Sequence, residues 1–340
     1  MTPRLSIVLT AHNASQTLSR CLDSVQQQVE WAIGELEIIV VDDRSTDGTS
    51  SLLRSRGGEA LTVLQLTEYS DPTLTARQLA LDAGIQAAAG DVVLLLDADA
   101  RVSADWSVAV AEPVLCGHAD LVAGGVAFDA KVLGPIARAV ASLQTVDAAY
   151  YLLMCRTLNA IGLPSGVLFG SAAFRKPIYE MVGGFRRIGH ALTEDLAFAR
   201  AVKAGGGRIL FSAPARVRVD GCDTFGALVR RAVRTSAGGT SALAAVLGAW
   251  MLLLPVTAVM AMVAGSGWWM LLAARYVAGT LLALAATVAS REWRRAGYAL
   301  CYEPVTIMIG GFALIAVRRT RHIEWGGIRY DRHRRRSATA

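Results

Sequence analysis

The sequence predicts an α/β domain built on a mainly parallel sheet and followed by transmembrane helices. Three observations indicate this class. Short apolar runs alternate with helix-period segments in the first 100 residues, acidic residues follow two of those runs, and no charged side chain occurs from residue 235 to 274. With 53% hydrophobic residues, 18% charged residues and a mean hydropathy of +0.40, the chain is too apolar for an ordinary soluble or a disordered protein.

The apolar runs are typical of strands that a sheet buries on both faces. They lie at residues 5–10, 36–41, 61–66 and 91–96, with helix-period segments between them at 14–28, 49–56 and 74–89. This alternation predicts parallel strands with helices on both faces of the sheet. Ligands of such sheets bind beyond the carboxyl ends of the strands, so the candidate site lies where the runs end.

Three apolar segments follow the α/β region. Because a membrane span needs about 20 residues, we predict spans at about 243–263 and 268–289, and a third apolar segment at 296–317. Residues 241–340 hold 12 Lys/Arg against 4 Asp/Glu, and arginines flank the third segment on both sides. Basic flanks stay in the cytoplasm, which predicts a re-entrant or in-plane third segment, broken at Glu303 and Pro304.

The predicted organisation is therefore a catalytic domain at 1–235, a membrane region at 236–317 and a basic cytoplasmic tail at 318–340. The chain is expected to be a multi-pass protein of the inner membrane, with its first domain in the cytoplasm. Its N-terminus lacks the apolar core of a signal peptide, and its five cysteines, without ligand spacing, predict reduced thiols.

Two features of the apolar regions stay open at this stage. Arg275 lies inside the second predicted span, where a charged side chain is costly, and the sequence offers no account of it. The largely apolar segment 128–155 fits either an amphipathic helix at a membrane surface or a core helix.

Acidic residues follow two apolar runs. Asp97 and Asp99 end the fourth run, and carboxylates in this arrangement suit Mg²⁺ or Mn²⁺ held together with substrate phosphates. Two solvated loop aspartates are the alternative. Asp42 and Asp43 end the second run, where a carboxylate can accept the imide N–H of a uracil base, although the residues after them also fit a helix-capping turn.

Two further groups are candidates. Asp195 precedes an apolar helix and suits a general base acting on an acceptor hydroxyl, or a partner for the positive end of the helix dipole. Arg231 and Arg234 share a helix face and could bind a diphosphate, or act as an ordinary positive flank of the first span.

Taken together, these motifs resemble family 2 glycosyltransferases. The resemblance covers about residues 4–235 and rests on residues 6–13 (SIVLTAHN), 38–49 (IIVVDDRSTDGT), 76–77 (AR), 94–99 (LLLDAD), 183–185 (GGF) and 193–195 (TED). It implies a GT-A fold, a nucleotide-sugar donor and inversion at the anomeric carbon. Two positions depart from the family pattern, since Ala14 replaces an acidic residue and Gln78 an asparagine.

The resemblance also implies site residues, transferred position by position. The nucleoside is held by Thr10, Ala11, His12 and Asp42 or Asp43, and Arg77 lies near the diphosphate. Asp97 contacts the ribose or the metal, Asp99 binds the metal, and Asp195 is the base.

The C-terminus resembles a second pattern. Residues 323–330 (IEWGGIRY) are similar to the W-x-G-R-x-Y ending of membrane glycosyltransferases that act on lipids, such as ceramide glucosyltransferases and bacterial carotenoid or hopanoid glycosyltransferases, with the arginine one position late. Processive polysaccharide synthases carry Q/R-x-x-R-W, and residues 231–235 (RAVRT) lack its tryptophan. The chain is therefore expected to transfer a sugar to a lipid.

The sequence thus predicts an inverting, metal-dependent glycosyltransferase that moves a sugar from a nucleoside-diphosphate sugar, with UDP favoured, to a lipid hydroxyl at the cytoplasmic membrane face. Alternatives are a polyprenyl-phosphate acceptor, polysaccharide assembly, a nucleotidyltransferase, and a non-enzymatic membrane anchor or small transporter. The Arg-rich tail also fits nucleic-acid binding. The adjacent apolar spans favour anionic lipid as its partner, so no nucleic-acid partner is predicted.

Overall fold

The computed structural model describes residues 4–28, 35–56, 61–132, 134–163, 166–236, 242–319, 322–325 and 327–331. The chain divides into two compact units. The first comprises Met1–Val126, Cys155–Asp220 and Glu324–Ala340, and the second comprises Ala127–Met154 and Gly221–Ile323. This division differs from the predicted boundary at residue 235, because residues 127–154 and 221–235 pack with the apolar helices.

The first unit contains the sheet and the helices that cover it. The strands are β1 (Arg4–Ala11), β2 (Glu35–Asp43), β3 (Leu61–Leu66), β4 (Val92–Asp97), β5 (Ala100–Val102), β6 (Leu121–Asp129), β7 (Ser171–Arg175) and β8 (Ile209–Asp220). The helices are α1 (Leu18–Gln26), α2 (Thr49–Ser55), α3 (Ala76–Ala87), α4 (Trp106–Leu115), α6 (Lys176–Met181), α7 (Gly184–Ile188) and α8 (Glu194–Ala204), while α5 (Pro135–Ala160) is shared between the units.

The sheet is mixed, with the strand order β3-β2-β1-β4-β7-β6-β8-β5. Its first four strands are parallel and correspond to the four predicted apolar runs. Strand β7 pairs antiparallel with β4 and β6, and β5 pairs antiparallel with β8. The predicted α/β class is confirmed. The core contains the apolar side chains of these strands, several of them fully inaccessible to solvent, and Trp106 of α4.

The second unit is helical in its described part. It contains most of α5, then α9 (Phe225–Ser236), α10 (Ala242–Ala264), α11 (Ser266–Ala289), a 3₁₀ segment (Trp293–Tyr298) and α12 (Ala299–Arg319). A short hairpin of β9 (His322–Trp325) and β10 (Ile328–Asp331) follows. The buried side of α5 packs on α11 and α12 through Tyr150 and Tyr302, whose ring centroids lie 5.4 Å apart. On that side α5 is a core helix.

Helix α12 continues through Pro304, so the predicted break at Glu303 and Pro304 is wrong. A proline inside a helix removes one backbone hydrogen bond. Packing of the preceding residues offsets this loss, because Tyr302 and Glu303 are each only 1% exposed and both bind residues of other helices.

Arg275, whose partner was not predicted, forms a buried ion pair with Glu303. Its Nη1 donates to Glu303 Oε2 at 2.8 Å and its Nη2 to Oε1 at 3.0 Å. The guanidinium also donates to the Trp250 carbonyl at 2.8 Å and lies 3.7 Å from the Trp250 ring centroid. A side chain at Gly279 would overlap the Glu303 carboxylate. The pair therefore ties α10, α11 and α12 together.

One helical stretch in the described part of the chain, Gly267–Ala289, is long and apolar enough to cross a membrane, with 23 residues and a hydropathy of 1.7. The corresponding apolar stretch of α10, Gly248–Ala264, is shorter. The predicted spans at 243–263 and 268–289 thus coincide with helices, and the number of crossings stays a prediction.

Candidate active site

The carboxyl ends of β1, β2 and β4 meet at one edge of the sheet. Strand β1 lies between the other two, and in its register Thr10 pairs with Asp97 and Ala11 pairs with Asp42. This is the edge at which α/β sheets bind ligands. The strand order therefore brings together four of the residues that the sequence assigned to a nucleotide-sugar site.

Arg77 bridges two carboxylates at this edge. It is the second residue of α3, and its Nη2 donates to Asp97 Oδ1 at 2.5 Å while its Nε donates to Glu194 Oε1 at 2.6 Å. Burial lowers the pKa of the guanidinium, but the charges of Asp97 and Glu194 outweigh burial and raise it. Arg77 is therefore a fixed cation. Glu194 was not among the predicted site residues. The sequence feature that could have predicted it is its position beside Asp195 at the start of a helix.

Asp195 follows Glu194 in the first turn of α8. Its side chain is partly buried, and its Oδ1 accepts the N–H of Leu196 at 2.7 Å. Burial and then the negative charge of Glu194 raise the pKa of Asp195 to about 7, with a smaller rise from Asp97, while the Leu196 N–H and Arg77 oppose the shift. A carboxylate with this pKa can accept a proton near neutral pH.

Asp97 and Asp99 offer oxygen ligands at the end of β4. Asp97 binds Arg77 through Oδ1 only, and in the described part of the chain its Oδ2 has no hydrogen-bond partner. A Cβ at Gly170 would lie 2.8 Å from this Oδ2, so the glycine keeps its surroundings open. Asp99 is exposed. Within the described ranges, no group of three or more His, Cys, Asp or Glu residues is placed so that it could hold a metal ion.

The two carboxylates at the end of β2 differ. Asp43 accepts from Arg44 with both oxygens, at 2.7 and 2.8 Å, and its backbone carbonyl accepts from His12 Nδ1 at 2.6 Å. Asp42 is 1% exposed; its Oδ2 accepts from Ser50, and its Oδ1 is buried with no partner among the described residues. A buried acceptor without a partner is unusual. Asp42 Oδ1 is therefore a candidate acceptor for a hydrogen bond from a ligand.

The first turn of α3 is fixed by its own cap and by the loop before α8. Thr75 and Gln78 form a capping box, with bonds of 3.2 and 2.9 Å. Gln78 also donates to the Gly189 carbonyl at 2.8 Å and accepts from the Ala191 N–H at 3.1 Å. Gln78, which departs from the family pattern, thus links the helix that carries Arg77 to the loop that leads to Asp195.

Arg231 and Arg234 lie on α9 in the second unit. The Arg231 guanidinium stacks over the Phe128 ring, 4.7 Å from its centroid. The Arg234 side chain lies outside the described residues. The role of both in diphosphate binding stays a prediction.

The fold is that of GT-A glycosyltransferases, as expected from the sequence. The chain belongs to glycosyl transferase family 2, whose model matches residues 6–175, and the model of glycosyl transferase family group 2 matches residues 92–315. The predicted family and enzyme class are confirmed by these matches.

Relatives and solved structures agree with this assignment. Over 99 residues the chain is 32% identical to an uncharacterised glycosyltransferase of Nostoc sp. and 30% identical to undecaprenyl-phosphate 4-deoxy-4-formamido-L-arabinose transferase of Aeromonas hydrophila. Each match spans 28% of this chain and 28% of the relative. A mannosyltransferase from Pyrobaculum calidifontis, solved with GDP-Man and Mn²⁺, shares the fold, with a TM-score of 0.51, 20% identity and coverage of 94% of this chain and 87% of its own.

Proposed function

We propose that this protein is a membrane-bound, inverting glycosyltransferase that moves a sugar from a nucleoside-diphosphate sugar to a lipid hydroxyl. The observation that carries the proposal is the environment of Asp195. This carboxylate has a pKa of about 7 and belongs to the same acidic pair as Glu194, which Arg77 connects to Asp97. A proton acceptor thus adjoins a fixed cation, as group transfer to a hydroxyl requires.

In the proposed reaction Asp195 accepts the proton of the acceptor hydroxyl as its oxygen attacks the anomeric carbon. The bond from that carbon to the diphosphate oxygen breaks, and the diphosphate leaves with the electron pair. Attack opposite the leaving group inverts the anomeric carbon. Arg77 uses Nε and Nη2 for its carboxylate partners, so its Nη1 hydrogens remain to bind the departing phosphate oxygens.

Asp97 and Asp99 would hold Mg²⁺ or Mn²⁺. Asp97 Oδ2 has no hydrogen-bond partner among the described residues and Asp99 is exposed, and one or two carboxylates plus substrate phosphates are a usual ligand set for Mg²⁺. The bound ion would supply Lewis-acid neutralisation of diphosphate charge.

At the nucleoside end we assign Asp42 Oδ1 to accept a base N–H, with Thr10, Ala11, His12 and Asp43 around it.

Metal removal provides a direct check. We expect EDTA to abolish transfer and Mn²⁺ or Mg²⁺ to restore it, because Arg77 is already paired with two carboxylates and its single charge cannot neutralise the diphosphate. The measurement is initial rate against free metal concentration, with Ca²⁺-saturated EDTA as the control for chelator effects. Full activity in metal-free buffer would remove the proposed role of Asp97 and Asp99.

The apolar helices support a membrane as partner. Six large apolar side chains on α10–α12 are each more than 60% exposed within the described ranges, namely Val246, Leu252, Met262, Val263, Met270 and Leu300. Exposed apolar surface of this extent is typical of an interaction with lipid or protein. The length of Gly267–Ala289 favours lipid.

The unit boundaries support an even number of crossings. The chain leaves the first unit after Asp220 and returns to it at Glu324. The two ends of the intervening segment therefore lie on one side of any membrane that it crosses. Two crossings by α10 and α11 satisfy this condition with the body in the cytoplasm. Because α12 is continuous through Pro304, it then lies in the plane of the membrane and does not re-enter it.

Topology can be measured by labelling single cysteines in cells that express a variant without the native cysteines. A membrane-impermeant maleimide is expected to label Ser266→Cys in intact cells, because that position joins α10 to α11. It should label Arg294→Cys and Ala338→Cys only after permeabilisation. Labelling of Ala338→Cys in intact cells, with Arg294→Cys protected, would instead mean three crossings.

A polyprenyl-phosphate acceptor is the second candidate, because the Aeromonas relative is named as an undecaprenyl-phosphate sugar transferase. The deciding experiment incubates detergent-purified protein with labelled UDP- and GDP-sugars, Mn²⁺ and total membrane lipid. A glycoside of a lipid alcohol, stable to mild acid, supports the first proposal. An acid-labile phosphodiester supports the second, and no labelled lipid from any donor contradicts both.

A further inference from the structure

The C-terminal hairpin brings Tyr330 to the start of α3. Ala76, 254 residues earlier in the sequence, donates its backbone N–H to the Tyr330 hydroxyl at 2.9 Å. The Tyr330 ring lies edge-on to His190, with ring centroids 5.7 Å apart, and Tyr330 is 5% exposed. All three residues belong to the first unit. The hairpin thus connects the start of α3 to the loop that precedes Asp195.

The turn of the same hairpin lies against the end of β1. Gly327 has a φ of +70°, and a Cβ at this position would be 3.7 Å from Nε2 of His12. His12 in turn binds the Asp43 carbonyl. The Tyr330 hydroxyl is close enough to Asp43, Arg44 and Glu194 for their charges to affect its pKa, which burial raises. The hairpin therefore borders the carboxyl edge of the sheet at both the nucleoside end and the Arg77 end.

We propose that Tyr330 is a positioning residue for sugar transfer, which acts through the first turn of α3 on Arg77. The inference rests on the proposed function and deepens it. It assigns to the C-terminal hairpin, which follows the last apolar helix, a part in completing the transfer site.

Tyr330 can act on Arg77 because the backbone N–H groups at the start of a helix need partners from outside the helix. The first N–H groups of a helix have no partner inside the helix. In α3 the Gln78 N–H binds Thr75, whereas the Ala76 N–H, at a residue 2% exposed, binds Tyr330. Without the phenol oxygen this buried N–H must find water, which requires the first turn to move. Arg77 is the next residue, and its bridge between Asp97 and Glu194 depends on the position of that turn.

The test compares Tyr330→Phe with Tyr179→Phe in the full-length protein. Tyr179 is the control, because it is 1% exposed in the same unit and its hydroxyl donates to Asp82 of α3 at 2.6 Å. The same hydroxyl accepts from the Phe185 N–H at 3.1 Å, so the control removes one hydrogen bond more than Tyr330→Phe does. Loss of one buried hydrogen bond predicts about a tenfold fall in kcat/KM for the sugar donor in Tyr330→Phe, with the acceptor KM unchanged. The control should keep kcat/KM within about twofold, even at equal loss of thermal stability.

A double-mutant cycle separates positioning from direct substrate contact. In an Arg77→Lys background, which cannot make the same bridge, Tyr330→Phe is expected to add less than about a twofold loss. A full additional tenfold loss would overturn the inference, since Tyr330 would then act independently of Arg77, and so would parent-like kinetics of Tyr330→Phe.

Amide exchange decides the inference even if the parent protein transfers no sugar. Faster exchange of the peptide containing residues 76–78 is expected in Tyr330→Phe but not in Tyr179→Phe. Unchanged exchange would overturn the role of Tyr330 whatever the reaction is. Absence of transfer by the parent, with faster exchange in Tyr330→Phe, would instead contradict the proposed function alone.

Discussion

Asp195→Asn is expected to lower kcat by ~10³-fold while donor binding stays within about twofold, because a positioned general base contributes about 10²–10⁴-fold to a rate. Asparagine keeps the shape of the side chain and removes the proton acceptor. Burial and Glu194 disfavour the ionised carboxylate, so the variant should be no less stable than the parent. The measurements are single-turnover rates, calorimetric binding of the nucleoside diphosphate and thermal unfolding.

The parent should also lose activity as the pH falls. With the pKa of Asp195 raised to about 7, the carboxylate is ionised above that pH and protonated below it, so kcat should decrease through about pH 7 on the acidic side. Asp105→Asn, the same change at an exposed helix start, is the control and should follow the parent profile. If Asp195→Asn retained the parent kcat, the acceptor would need no base, as for a lipid phosphate.

Much of the fold was predictable because its signals are local. The strands β1 to β4 are runs of buried side chains between helices with regular apolar spacing, and their predicted ends agree with the structure to within two residues. Strand β7 was not predicted, since Ser171–Arg175 is short and relies on antiparallel pairing with β4 and β6. Pairing of this kind depends on partners distant in the sequence, which periodicity does not reveal.

In the candidate site, too, local sequence features predicted some residues, whereas others depend on tertiary contacts. Asp97 was predictable because it ends a strand, and Arg77 and Asp195 because family motifs mark them. The partners that fix these residues are tertiary. Glu194 reaches Arg77 across 117 positions of sequence, and Tyr330 reaches Ala76 across 254. The partner of Arg275 is likewise tertiary, because Glu303 lies on another helix, 28 positions later in the sequence.

Removing one partner of the Arg275–Glu303 pair is expected to cost about 3–5 kcal/mol of stability, because the remaining charge is left buried and unpaired. The side chains of Arg275 and Glu303 are 6% and 1% exposed, so water cannot replace the lost partner. Glu303→Leu should therefore unfold at a markedly lower temperature than the parent in the same detergent. Arg275→Met should lose less, because the Glu303 carboxylate can take up a proton.

The double variant Arg275→Met/Glu303→Leu tests whether charge or volume matters. Apolar side chains of similar size often replace a buried ion pair with little loss, so this variant should recover most of the stability that Glu303→Leu loses. Arg294→Met, at an exposed arginine of the same unit, should change stability by less than about 1 kcal/mol. A double variant as unstable as Glu303→Leu would mean that the contacts of Arg275 with Trp250 hold the three helices. Recovery would mean that the volume of the two side chains, and not their charges, stabilises the contact between the helices.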